Sequence, residues 1–192
     1  MAVSLVDVPI PDGEAEYFAE CNYMWKDAVE ETKKHQAHVM VIVINHNNDS
    51  IECASLFSKV ASSCLKAENA LGIYTSGTVF QPQFYNAVAD ILKKGALPIP
   101  DWIYIGLGQD EKGNSAYTYG LDAFGKMEIE ILNSKHSLEE LRDFLFYVCE
   151  YVIKNDMYFR DGETISFASD QQLKITKSKA VRVEGESIKI NY

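Results

Sequence analysis

The sequence lacks most features that announce a compartment or a chemistry outright. Its four cysteines, Cys21, Cys53, Cys64 and Cys149, show neither CxxC spacing nor the density of a disulfide-stapled secreted domain, so they imply a reducing interior. The longest apolar run, near residues 39–44, falls far short of the ~20 residues that cross a bilayer. The first eleven residues have no basic start followed by an apolar stretch, so no export signal is expected and the expected compartment is the cytoplasm. Positive charge is also scarce. Eighteen Lys and Arg stand against 28 Asp and Glu, a formal net charge of −10 and the wrong sign for a protein that neutralises phosphates. Nucleic acid and membrane are therefore not expected as partners. No repeat, low-complexity stretch or Pro/Gly/Ser-rich linker divides the 192 residues, and with 47% of them hydrophobic one domain spanning 1–192 is expected.

Catalytic signatures are missing as well. Neither Walker spacing nor GxSxG occurs. His35 and His38 resemble half a metal motif, but His35 ends a predicted helix and His38 opens a predicted strand, so they do not share the one-turn spacing of a zinc-protease pair. His38 and His46 share strand parity but lie roughly 26 Å apart at the usual rise. No metal and no cofactor are expected. Gly106, Gly108 and Gly113 hint at a phosphate loop, yet the continuation through Tyr117 is strand-like, whereas a phosphate loop opens a helix. A hairpin with glycines is the expectation. Cys21, Cys64 and Cys149 fall on or beside apolar helical stripes and read as packing; Cys53 is harder to place.

What is present is a clear alternation of elements. Phe18, Cys21, Trp25, Ala28, Val29 and Thr32 recur at helical spacing and predict one long amphipathic helix. Residues 37–45 (AHVMVIVIN) are apolar on both alternating faces and predict a central strand covered on both sides. Asp49 with Glu52 makes a capping-box signature for a helix through Lys66 with Ala54, Phe57, Ala61, Cys64 and Leu65 inward. A strand is predicted at residues 71–74. Pro82 then opens a helix with Phe84, Val88 and Ile91 inward, and Gly95 ends it. Strands follow at residues 102–107, 116–121 and 127–132, with Glu128 and Glu130 on one face of the last. Ser137 and Glu140 form a second capping box, opening a helix striped by Leu141, Phe144, Val148 and Val152. The tail reads as β: residues 164–168, 173–176 and a hairpin reaching residue 190. The fold class is α+β (mixed α/β), with a central mixed sheet, about four helices and a C-terminal antiparallel hairpin region.

Charge is unevenly spread. The first fifty residues carry nine acids and three bases, while the tail from Gln171 carries five bases and two acids. An acidic face with a basic tail suits an oriented contact with a basic protein.

Two segments offer candidate chemistry. In the stretch from Tyr117 to Glu128, aromatics, two glycines and alternating charges crowd a strand-turn-strand junction. In Arg160-Asp161-Gly162-Glu163-Thr164 a charged turn follows the last helix. Glu128 and Asp161 could support acid–base chemistry if folding brings them close, and Arg160 could hold an anion; turn chemistry and an ion pair between elements account for the same residues. Trp25, His38, Thr118, Tyr119, Phe124, Lys126, Glu128, Arg160 and Asp161 are the candidate binding residues.

These segments also carry a resemblance. Trp25-Lys26-Asp27-Ala28, Ala37-His38, Thr118-Tyr119-Gly120-Leu121 with Phe124-Gly125-Lys126-Met127-Glu128, and Arg160-Asp161-Gly162-Glu163-Thr164 resemble the bacterial domain of unknown function 4261 from about Pro9 to the final hairpin. The Thr-x-Gly-Leu-x-x-Phe-Gly-x-x-Glu stretch is its specific part. Lys26 stands where many relatives have Pro. The resemblance implies a shared bacterial fold and no reaction. By analogy with small acidic bacterial immunity proteins, it also implies a partner in the form of a secreted toxin. The expected function is a non-catalytic cytoplasmic protein-binding module, an immunity protein neutralising a basic toxin. The alternative is an enzyme or small-ligand binder with a polar pocket around Tyr119, Glu128 and Asp161. Oligomeric state is not set by the sequence.

Overall fold

The computed structural model describes residues 1–45, 49–166 and 172–192. His46, the first half of the turn before Asp49 and the end of the strand expected at 164–168 lie outside them. The chain forms two compact units, Met1–Trp102 and Ile103–Tyr192.

In the N-terminal unit, β1 (Ala2–Val6) and β2 (His38–Ile42) pair as an antiparallel two-stranded ribbon. Helices α1 (Glu14–Ala19) and α2 (Ala28–Thr32) are both short. The single long helix expected here breaks, because the Asn22 side chain turns inward. Its Oδ1 accepts from the Met24 N–H and its Nδ2 donates to the Val79 carbonyl, so a tight turn replaces two helical turns. The periodic residues still converge, with Ala19, Trp25, Ala28 and Val79 forming one core cluster. Cys21 therefore lies in a turn rather than a helix.

Helix α3 (Ser50–Cys64) starts as its capping residues require, with the Asp49 carboxylate accepting from the Glu52 N–H. Of the residues expected inward, Ala61 and Leu65 are buried and Phe57 packs against their cluster, while Ser58 and Ser62 are buried in place of Ala54 and Cys64. Strands β3 (Ile73–Thr75) and β4 (Thr78–Phe80) make a tight hairpin, and α4 (Pro82–Ala89) begins at Pro82. Tyr85 and Ala89, not Val88 and Ile91, are its buried residues. Phe84 stacks on Phe80 at 5.5 Å, and that rotates the helix. Ala61, Leu65, Phe80, Tyr85 and Ala89 form the second core cluster. The short helix α5 (Ile99–Trp102) takes Trp102, expected in a strand.

The C-terminal unit is one mixed sheet. Strands β5 (Tyr104–Asp110), β6 (Gly113–Tyr119), β7 (Ile129–Ser134), β8 (Thr164–Ile165), β9 (Leu173–Lys179) and β10 (Glu186–Ile190) run in the order β5-β6-β7-β10-β9-β8, with β7 and β10 parallel and the other neighbours antiparallel. Helix α6 (Leu138–Lys154) packs on β5 and β6 through Leu141, Leu145, Val148, Cys149, Val152 and Ile153. Its reciprocal Ser137–Glu140 capping box is complete. The architecture is α+β with a mixed sheet. One element departs from expectation: β2, apolar on both faces like a central strand, has β1 as its sole strand neighbour among the described residues.

Candidate functional site

Seven of the nine candidate residues lie in the C-terminal unit. Thr118 is the penultimate residue of β6, its side chain buried, donating its hydroxyl to Glu128 Oε2 (2.5 Å) and accepting the Ile129 N–H (2.8 Å). Glu128 Oε1 in turn accepts the N–H groups of Gly120 (2.8 Å) and Leu121 (3.0 Å). Those amides open a short 3₁₀ turn, Leu121–Phe124, and have no partner within it, so the carboxylate closes the turn as an N-terminal cap does. Burial pushes the Glu128 carboxyl above its ordinary value, against the pull of these bonds. Leu121 and Phe124 drop into the core. The junction is a clamp built on Glu128.

Lys126 lies beside it. Its side chain is 4% exposed, and its ammonium binds Asp156 and sits over the Tyr158 ring, 3.1 Å from the centroid. The flexible stem is covered while the charge is neutralised at both ends of its reach. The ammonium holds the Asp156 carboxyl below its usual value. Tyr119 points outward, 48% exposed. In the charged turn, the Arg160 N–H donates to Glu163 Oε2 (2.9 Å) and Asp161 Oδ1 accepts the Lys177 N–H (2.8 Å). Glu128 and Asp161 thus have separate partners, each fixing backbone. Trp25 and His38 belong to the N-terminal unit: Trp25 packs in the core, and His38 Nδ1 lies 2.9 Å from the Val8 carbonyl.

The glycines of the abandoned phosphate-loop reading do structural work. Gly106 pairs with Tyr117 across β5 and β6, and a Cβ there would stand 2.1 Å from the Tyr117 ring, so the missing side chain is the shelf on which that ring lies. Gly113 takes φ +137° at the hairpin, with the Ser134 carbonyl 2.7 Å from where a Cβ would be. The expected hairpin is present.

Two charged groups escaped sequence reasoning as important. Glu130, fully buried on β7, accepts from the N–H groups of Val181 and Arg182 and from the Ser187 hydroxyl, and pairs with Lys189 at 2.8 Å. Burial would raise its carboxyl; the bonds from Lys189, Arg182, Ser187 and Val181 outweigh it, and the group sits below its ordinary value. The signal was an acid flanked by Ile129 and Ile131 in the apolar first half of β7. Asp101, 1% exposed on α5, has both carboxylate oxygens without a hydrogen-bond partner among the described residues, and burial pushes its pKa up to about 8. Tyr85 neighbours it, and the Trp102 indole donates to Ser58 (2.8 Å). Nothing in the sequence around Asp101 announces its burial. Among the described residues no three of His, Cys, Asp and Glu gather as a metal site, and no helix is long and apolar enough to cross a membrane.

Residues 117–191 match the family model described as Domain of unknown function (DUF4261). This part of the chain is similar to that family. The matched span holds the Glu128 clamp, the Glu130 anchor and the charged turn, while Trp25 and His38 fall outside it. No curated protein and no solved structure matched the chain. The Thr-x-Gly-Leu-x-x-Phe-Gly-x-x-Glu stretch has a local physical meaning in this chain: hydroxyl, two amides and carboxylate close one turn, and Leu121 and Phe124 pin it to the core.

Proposed function

We propose that the protein is a non-catalytic protein-binding module and that its contact surface is the β1–β2 ribbon. One observation carries the reading. β2 has the composition of a strand covered on both faces, yet Met40 and Ile42 on one face are each 45% exposed, Val3, Leu5 and Val39 on the other are 46–71% exposed, and Ile44 beyond the strand is 60% exposed. A ribbon with open edges and apolar faces is the kind of element that a second protein covers, by strand addition at the edge or by packing on a face. The ribbon strands themselves carry no Asp, Glu, Lys or Arg, whereas the first fifty residues hold nine acids and three bases. A basic partner is therefore drawn to the rim and an apolar one to the ribbon. A basic toxin neutralised in a bacterial cytoplasm combines both properties, and that immunity role is the specific form we propose.

The polar pocket alternative is disfavoured because Glu128, Lys126 and Asp161 each hold internal partners. The test is turnover: broad substrate panels on the full chain are expected to show none. Turnover abolished by Glu128→Ala or Asp161→Ala in a protein that stays folded contradicts the reading.

A further inference from the structure

Proline has no N–H, so the stretch Pro9-Ile10-Pro11, which leads from β1 toward α1, has one backbone donor, the Ile10 amide. That donor is taken by His35 Nε2 at 2.8 Å. An N–H can only donate, so Nε2 is the ring nitrogen without a proton, and Nδ1 carries one and donates it to the Thr32 carbonyl (2.6 Å). His35 stands just past α2, and Ile10 belongs to the connector between β1 and α1, so this bond ties the β1 leg of the ribbon to the end of α2. The neighbouring His38 works differently. It is the first residue of β2, its Nδ1 donates to the Val8 carbonyl (2.9 Å), and the bond lengthens the ribbon without anchoring it.

The two rings differ in what a second proton does. His38 already donates, and its bond to Val8 survives protonation. At His35 the second proton must enter at Nε2, where it faces the Ile10 N–H, two donors with no acceptor between them. The charge so created is met from the other side of the ring. Glu16 Oε1, from α1, lies 3.5 Å from Nδ1, and its buried Oε2 has no hydrogen-bond partner among the described residues. Other titratable groups border, with His35, the cleft between the ribbon, α3 and β3: Asp7, Glu14, Lys34, His38, Cys64 and Tyr74. Lys34 is bound to Glu31 (2.6 Å), and Glu14 accepts the Tyr74 hydroxyl (2.8 Å). Among the described residues Glu16 is the acid within ion-pair reach of the His35 ring.

We propose that His35 is a pH-sensitive latch: neutral, it holds the β1 leg of the ribbon through Ile10; protonated, it exchanges that bond for the Glu16 carboxylate and releases the leg. The pairing of β1 with β2 and the packing of β2 on α3 do not pass through the latch and stay in place. The latch belongs to the free chain, so it is judged separately from what the ribbon binds. The test is nuclear magnetic resonance of the isotope-labelled full chain between about pH 8 and pH 5, following the His35 and His38 rings and the hydrogen exchange of the Ile10 amide. With exchange corrected for its intrinsic dependence on pH, the Ile10 amide is expected to lose about tenfold in protection at the midpoint at which the His35 ring takes up its proton. These readouts need no substitution. Glu16→Gln removes the countercharge and is expected to move both midpoints to lower pH together. His35→Gln keeps an acceptor that does not titrate and is expected to abolish the transition at Ile10. The latch is refuted if Ile10 protection stays flat while the His35 ring titrates, if it follows the His38 ring instead, if the His35 ring stays neutral until the fold is lost in acid, or if either substitution leaves the transition unchanged.

Discussion

Three carboxylates in this chain, Glu128, Glu130 and Asp101, show how burial and partners decide what an acid does. Glu130 is buried with three donors and Lys189 around it, so Glu130→Ala is expected to leave the Lys189 ammonium without its countercharge and two backbone N–H groups without an acceptor, and to cost roughly 3–5 kcal/mol. Glu130→Gln, which keeps an acceptor for the amides but not the countercharge for Lys189, is expected to cost less. Urea denaturation followed by far-ultraviolet circular dichroism decides this, and equal stability of Glu130→Ala and the parent would contradict the anchor role. Asp101 is the opposite case. Its pKa is about 8 in the folded protein and ordinary in the unfolded chain, so between those values the unfolded state ionises while the folded state keeps its proton. Stability is therefore expected to fall with rising pH across that window, by up to about 1.4 kcal/mol per pH unit, and to level off above pH 8. Asp101→Asn should flatten that slope; an unchanged slope in the variant removes Asp101 as its source. Neither role was legible from sequence. Glu128 looked like a candidate acid–base group because its residue type and glycine-rich surroundings suit one, but its partners are two backbone amides and a hydroxyl from seven to ten residues away, which only the fold brings together.

At the scale of elements, signals that act over three or four residues proved legible. Asp49 and Ser137 both cap the helices their spacing announced, Pro82 opens α4, and the glycine-bearing hairpin of β5 and β6 is where it was expected. Ser137→Ala is expected to cost about 1 kcal/mol through loss of the cap. Gly106→Val should disturb β5 and β6 more, by about 1–3 kcal/mol, because its side chain occupies the space of the Tyr117 ring; Tyr117→Ala in the same chain should recover part of the loss. A double-mutant cycle in urea checks this, and strictly additive costs would show that the ring and the glycine do not meet. The elements misread were those decided by distant partners. The first helix breaks because Asn22 finds the Val79 carbonyl 57 residues away, and the apolar alternation of β2 reports only that both faces avoid water, not which neighbour covers them.

For the whole molecule, the net charge of −10 is less informative than its arrangement. The N-terminal unit combines an acidic composition with an apolar ribbon and a cleft, while the C-terminal unit, which holds the family match, spends its charged residues on turn closure and buried pairing. The fold class was legible because element order alone sets it, whereas the exposed apolar ribbon became visible only when β2 proved to lack, among the described residues, the second neighbour its composition implies. The central claim is that the ribbon binds a basic protein. The most direct measurement captures partners on the immobilised full chain in parallel with Ile42→Lys/Ile44→Lys and with Tyr147→Lys, a control at an exposed site in the C-terminal unit, over a range of salt. The account predicts a basic protein, identified by mass spectrometry, that the parent and the Tyr147 control retain, that the ribbon variant loses, and whose retention falls as salt rises. Equal retention by the ribbon variant, or loss with the Tyr147 control alone, would contradict it.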